Sequence, residues 1–190
     1  MTVQEEKARL RKIFLKKRCE ITDKSEKDSI ICEKIINSEH FKKAALILLY
    51  EPIKKEIDTK KLFESALLLN KKVAYPRCFD DGVMEFFEVS SLFDLEEGRY
   101  NIREPKLTCP KVSDFSNTLC IMPALAADRK GTRLGYGKGY YDRFLSKNPE
   151  IYKLLPIYDE LLVFDLAKDT FDKKADFIVT PKESIEINED

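Results

Sequence analysis

Apolar positions along this chain switch between helical spacing and short continuous runs. Between residues 3 and 20, Val3, Ala8, Leu10, Ile13, Phe14 and Cys19 recur among charged residues, which predicts an exposed amphipathic helix. A second helix is expected after Thr22-Asp23, with Glu26 completing a capping box, and it runs to Asn37 with Ile30, Ile31, Ile35 and Ile36 facing inward. Ala44–Tyr50 is a continuous apolar run bounded by Lys43 and Pro52, which reads as a covered strand. Asp58 or Thr59 caps a helix ending at Leu69, and strands follow at Val73–Tyr75 and Met84–Val89. Gly98–Lys111 reads as a loop, Leu119–Met122 as a buried strand, and Tyr140–Leu145 as the start of a helix. Strands near Leu154–Tyr158 and Phe177–Thr180 precede an acidic tail, Glu183–Asp190, expected to be solvated. Helices alternating with short apolar strands, without repeat or linker, predict one α/β domain over residues 1–190.

Composition narrows the function. Lys plus Arg and Asp plus Glu are both 34, so no global positive field exists to hold nucleic acid or a membrane. A local anion site remains open. The single histidine, His40, rules out an HExxH zinc site built from one chain. Five cysteines without a CxxC pair read as reduced thiols of a cytoplasmic protein, with Cys120 packed in the core. The charged N-terminal segment has no apolar h-region, and no apolar run approaches the roughly 20 residues that span a bilayer.

The segment from Pro123 to Arg143 carries the chemistry. It contains Gly131, Gly135, Gly137 and Gly139 between a buried strand and a helix, with Arg129, Arg133 and Lys138 among them. Such spacing lets backbone N–H groups approach an oxyanion, although a structural turn with solvated charges fits the same residues. Neither common nucleotide fingerprint matches: Gly139 replaces the Walker Ser or Thr, and Tyr140 replaces the last glycine of GxGxxG. Asp128 and Asp142 could ligate Mg²⁺ beside phosphate oxygens or serve as helix-end carboxylates. Tyr140 and Tyr141 could stack on a flat ring or pack in the core.

As a whole this segment resembles the signature of the 5-formyltetrahydrofolate cyclo-ligase (methenyltetrahydrofolate synthetase) family. The match includes Pro123, Leu125, Asp128, Gly131, Arg133, Leu134, Gly135, Gly137, Gly139, Tyr140, Tyr141 and Asp142; Ala124 and Ala127 depart from the usual Gly and Phe. Lys7-Ala8-Arg9-Leu10-Arg11 resembles the family's N-terminal triphosphate contact, with Lys7 and Arg11 on one helix face. Tyr50, Glu56-Ile57-Asp58-Thr59, Tyr75-Pro76-Arg77 and Asn101-Ile102-Arg103-Glu104-Pro105 resemble later family segments. Glu160 and Ala167 stand where the family has Gln and Pro.

The resemblance implies a three-layer α/β/α fold with a largely parallel sheet, related to the sugar-phosphate isomerase and CoA transferase scaffold. It implies ATP-dependent closure of 5-formyltetrahydrofolate to 5,10-methenyltetrahydrofolate in a cytoplasmic monomer, with Mg²⁺ as cofactor. Lys7, Arg11, Arg133, Leu134, Gly135, Tyr136, Gly137, Lys138, Gly139, Tyr140 and Tyr141 would meet ATP, with Lys138, Arg133 and Asp142 catalytic. Tyr50, Glu51, Glu56, Met84, Tyr100 and Tyr140 would hold the folate, and Asp142 and Asp176 the metal. Two alternatives share the scaffold: a non-catalytic binding module, for RNA for example, and a sugar-phosphate isomerase or CoA transferase. Zero net charge and the retained carboxylates Glu56, Asp142 and Asp176 weigh against the first. The Arg133–Asp142 run weighs against the second.

Overall fold

Helix α1 (Val3–Cys19) opens on a capping box in which the Thr2 hydroxyl accepts from the Glu5 N–H and the Glu5 carboxylate accepts from the Thr2 N–H. The structure, a computed structural model, describes residues 2–188. α1 is less exposed than its charge suggests, because Lys7, Phe14 and Arg18 are all buried. Helix α2 (Lys24–Asn37) lacks the expected capping box. Asp23 takes the left-handed conformation there and its side chain makes no cap bond, whereas a capping side chain works from an extended backbone. Ile31 and Ile35 are fully buried, while Ile30 and Ile36 are only half-buried. A short helix α3 (Glu39–Lys43) follows, capped by the Ser38 hydroxyl, which accepts from the Phe41 N–H at 3.2 Å.

The remaining elements are β1 (Leu46–Leu48), α4 (Lys60–Leu68), β2 (Lys72–Cys78), β3 (Met84–Glu88), β4 (Leu95–Glu97), β5 (Arg103–Pro105) and β6 (Thr118–Ile121). Then come β7 (Ala126–Asp128), β8 (Arg133–Leu134), α5 (Tyr140–Lys147), β9 (Tyr152–Pro156), β10 (Leu162–Val163), β11 (Phe177–Val179) and β12 (Ser184–Glu186). Seven strands form the main sheet in the order β12-β11-β9-β6-β1-β2-β3. β11, β9, β6, β1 and β2 are parallel, in register through pairs such as Leu46 with Lys72 and with Thr118. β3 and β12 close the edges antiparallel. Helix α4 connects β1 to β2 and packs on β2, while α5 connects β6 to β9 and packs against β3 through Phe144 on Phe86.

Central strands covered on both sides explain why the runs around Ile47, Leu119 and Leu154 are continuous rather than alternating. Cys120 is fully buried between them, and desolvation pushes its thiol up to about 12, as expected of a packing residue. Two expectations need correction. The Gly98–Lys111 loop contains β5, which pairs with β4. The acidic tail supplies edge strand β12, whose Ile185 faces Ile178; residues 189 and 190 lie outside the described residues. Among the described residues no helix is long and apolar enough to cross a membrane.

Asp128, at the end of β7, is a structural carboxylate. It is 1% exposed and accepts from the N–H groups of Lys130 and Thr132 at 2.9 Å and of Leu166 at 3.1 Å. These bonds shape the turn into β8 and pin β10 beside β7, the three strands forming a separate small sheet. Asp128→Ala orphans two buried donors and one part-buried donor and is expected to cost about 3 kcal/mol, read as a lower midpoint in urea unfolding.

Candidate active site

Strand order reverses between β1 and β6: the chain leaves β1 toward β2 but leaves β6 in the other direction, toward β9. Carboxyl ends at such a switch point diverge and leave a crevice. Here that crevice holds a small cavity lined by Arg18, Tyr50, Glu56, Ala124, Pro156 and Tyr158. Tyr50 is buried with its hydroxyl donating to the Ile57 carbonyl at 3.2 Å, so only its ring is available to a ligand. The Thr59 hydroxyl donates to the Tyr50 carbonyl at 2.9 Å and locks the loop between them.

Glu56 is 5% exposed. One oxygen, Oε2, accepts from the Ile53 N–H at 2.9 Å. The other, Oε1, is buried without a hydrogen-bond partner and lies 3.6 Å from Arg18 Nη1. Burial pushes the carboxyl up; the Ile53 N–H and the Arg18 charge oppose that rise. Arg18, 2% exposed, donates from Nη1 to the Ala124 carbonyl at 3.2 Å and from Nη2 to the Tyr136 hydroxyl. The sequence reading left Arg18 among the solvated charges of α1. Its helical phase with the buried Phe14, four residues earlier, was the signal that could have found it.

Tyr136 belongs to the glycine loop, which runs from β8 to α5. Gly137 adopts φ +93°, and a Cβ there would lie 2.8 Å from Arg11 Cζ. Arg11 thus lies against bare backbone, and its Nε donates to the Gly135 carbonyl at 2.9 Å. Gly139 N-caps α5 in the left-handed region, where glycine is at home. Gly137 and Lys138 are exposed, and the Lys138 ammonium stands 5.7 Å from the centre of the Tyr100 ring. Tyr100 itself is held at φ +61° and is mostly exposed. Hydrogen bonding of its O–H to Tyr100, together with desolvation, pushes the Tyr140 hydroxyl up to about 12.

Arg133, on β8, is buried and donates from Nη2 to Asp142 Oδ1 at 2.7 Å. The same Oδ1 accepts from the Lys173 N–H at 3.0 Å, while Oδ2 has no protein donor among the described residues. Arg133 lies 5.7 Å from the Tyr141 ring centre, and both its Nε and the Tyr141 hydroxyl are buried without partners. Lys7 is buried and ion-paired with Asp172, which also accepts from the Asp169 N–H at 2.7 Å. The structure therefore sets Asp172, one residue from the Lys173 that bonds Asp142, beside Lys7. Asp176 is engaged elsewhere, by the Lys153 N–H and ammonium, both at 2.8 Å. Nothing in the spacing of residues 168–174 singles out Asp172; its partner Lys7 lies 165 positions away.

The other expected residues fall on separate elements and do not line the small cavity. Leu134 is buried in the small sheet. Met84, buried, begins β3. Glu51 accepts from Arg103 at 2.8 and 2.6 Å. His40 lies apart, stacked on Tyr152 at 4.1 Å between ring centres.

Of the five buried side-chain atoms without partners among the described residues, four are Arg18 Nε, Glu56 Oε1, Arg133 Nε and the Tyr141 hydroxyl. Native proteins rarely leave such atoms unpaired, and these four flank one glycine loop. The 5-formyltetrahydrofolate cyclo-ligase family model matches residues 3–181. The chain belongs to that family. A protein of Schizosaccharomyces pombe named "Probable 5-formyltetrahydrofolate cyclo-ligase" is 31% identical over 82% of this chain and 84% of its own length. The 5-formyltetrahydrofolate cyclo-ligase of Mycoplasma genitalium is 29% identical over 92% of this chain and 97% of its own. Among solved structures, Aquifex aeolicus 5,10-methenyltetrahydrofolate synthetase superposes with a TM-score of 0.84 at 30% identity, covering 97% of this chain and 94% of the other. Family membership and the three-layer fold meet at one place, the switch-point crevice and its glycine loop.

Proposed function

We propose that this cyclo-ligase chain closes 5-formyltetrahydrofolate to 5,10-methenyltetrahydrofolate, using ATP and releasing ADP and phosphate. The observation that carries the reading is Glu56: a buried carboxylate with one oxygen unpartnered, in a crevice beside an exposed glycine loop. A pterin offers adjacent N–H and amino donors to such an oxygen pair, and the bond is charge-assisted. Met84 and the Tyr50 ring supply apolar walls, with Tyr100 and Tyr140 at the rim and Glu51 held there by Arg103.

The formyl oxygen attacks the γ-phosphorus of ATP, and the bond to the ADP oxygen breaks. N10 then attacks the activated formyl carbon, phosphate leaves with the former formyl oxygen, and the N10 proton is lost. No protein nucleophile enters, so positioning and charge stabilisation carry the rate. The N–H groups around Gly135, Gly137 and Gly139 face the phosphates, with Lys138, Arg133, Arg11 and Lys7 neutralising their charge. Leu134, Tyr136 and Tyr141 support the loop from below.

The donor set fits Mg²⁺, which takes one or two carboxylates together with phosphate oxygens. Asp142, with Oδ2 open, is the first carboxylate; Asp172, ion-paired with Lys7, and Asp176, held by Lys153, are the two candidates for the second. Bound there, the ion would neutralise and orient the triphosphate. One chain supplies both subsites, so a monomer suffices. The test is absorbance detection of methenyltetrahydrofolate from 5-formyltetrahydrofolate. Product forming only with MgATP supports the reading; folded protein that makes none refutes it.

A further inference from the structure

Helix α1 buries an arginine, Arg18, at a position where an apolar side chain could pack. Removing a guanidinium from water costs several kcal/mol, and an apolar residue of similar volume often stabilises a fold more. Arg18 nevertheless lies 2% exposed, with Nε unpaired. Its contacts join three segments that meet nowhere else in sequence: Ala124 after β6, Glu56 after β1, and Tyr136 in the glycine loop. The Tyr136 hydroxyl holds Nη2, and the Ala124 carbonyl holds Nη1. Thus fixed, Nη1 stands 3.6 Å from Glu56 Oε1. That separation is close enough to compensate charge but too long for a hydrogen bond. Oε1 therefore keeps its lone pairs for a ligand.

Taking the cyclo-ligase reading above as given, we infer that Arg18 is a positioning residue of the folate subsite, acting through Glu56 and itself oriented by the Tyr136 hydroxyl. Arg18 touches neither the phosphates nor the reacting atoms in this arrangement. Its removal therefore affects one substrate, and only while Glu56 carries its charge.

The experiment is a double-mutant cycle in steady-state kinetics, with 5-formyltetrahydrofolate and ATP varied separately. Arg18→Met is expected to raise the folate KM about 30-fold and to leave the ATP KM within about threefold, because charge-assisted contacts contribute at that scale. In a Glu56→Gln background the same substitution is expected to change the folate KM less than about threefold, since the interaction is already lost. Tyr136→Phe keeps the ring in the loop and is expected to raise the folate KM about fivefold, again only with Glu56 intact. Should Arg18→Met fail to fold, the Tyr136→Phe and Glu56→Gln cycle reads the same coupling. Additive effects, or an equal rise in both KM values, would mean a structural role and overturn the inference. A wild type without ATP-dependent turnover overturns the cyclo-ligase reading itself, and this inference with it.

Discussion

Asp142→Asn is expected to lower kcat about a thousandfold, the scale seen when a group stabilising developing charge is removed. Asparagine keeps the shape and can still accept the Lys173 N–H through Oδ1. It loses the charge that holds Arg133 Nη2 at 2.7 Å and the oxygen left open toward the phosphates. Both deficits act on phosphoryl transfer, so the KM for 5-formyltetrahydrofolate is expected to stay within about threefold. Mg²⁺ titration of turnover at fixed ATP checks the assignment, with far-UV circular dichroism confirming the fold. A variant with wild-type kcat and Mg²⁺ dependence would remove Asp142 from the site.

Glu56→Gln is expected to do the opposite, raising the folate KM about 100-fold while ATP affinity stays near wild type. Glutamine fits the space, but its amide presents one neutral acceptor and a donor where the ligand needs two acceptors. The pH dependence adds a second signature. Burial raises the Glu56 pKa, so the carboxyl takes up a proton at higher pH than an ordinary glutamate does. Folate affinity of the wild type therefore falls as pH drops through that raised pKa, and the Gln variant lacks this step. The same shift means that ionising Glu56 works against the unliganded fold: its stability contribution is fully present below the unfolded pKa and is lost as pH rises through the folded one. Steady-state folate KM measured across pH for both proteins tests the pair.

Much of this architecture was legible before any coordinates. Buried central strands announce themselves as runs such as Ala44–Tyr50, and the glycine loop and its following helix sit where their spacing placed them. What escaped has common physical causes. The strands β7, β8 and β10 span three residues or fewer, too short for any period to show. The Asp23 cap failed because cap chemistry depends on a backbone angle that composition does not encode. Arg18 and Asp172 escaped for a third reason: each is held by a partner more than a hundred residues away. Arg129 pairs with Glu183 on the surface, so the basic cluster around the loop is narrower than it looked along the chain.

The Lys7–Asp172 pair joins residues 165 positions apart, and Arg11 reaches 124 positions to Gly135. Ribosomes add about 5–20 residues per second, so α1 emerges roughly 10–30 s before its partner loop has been made. Arg18 likewise waits for Ala124 and Tyr136, although Glu56 is made early. Strands β1, β2 and β6 can pair meanwhile, but the contacts of α1 with residues 124–172 cannot form until the last third of the chain closes onto the first helix. A nascent chain stalled before residue 172 would lack Asp172 and the two strands β11 and β12, so it would have neither the Lys7 ion pair nor a complete sheet.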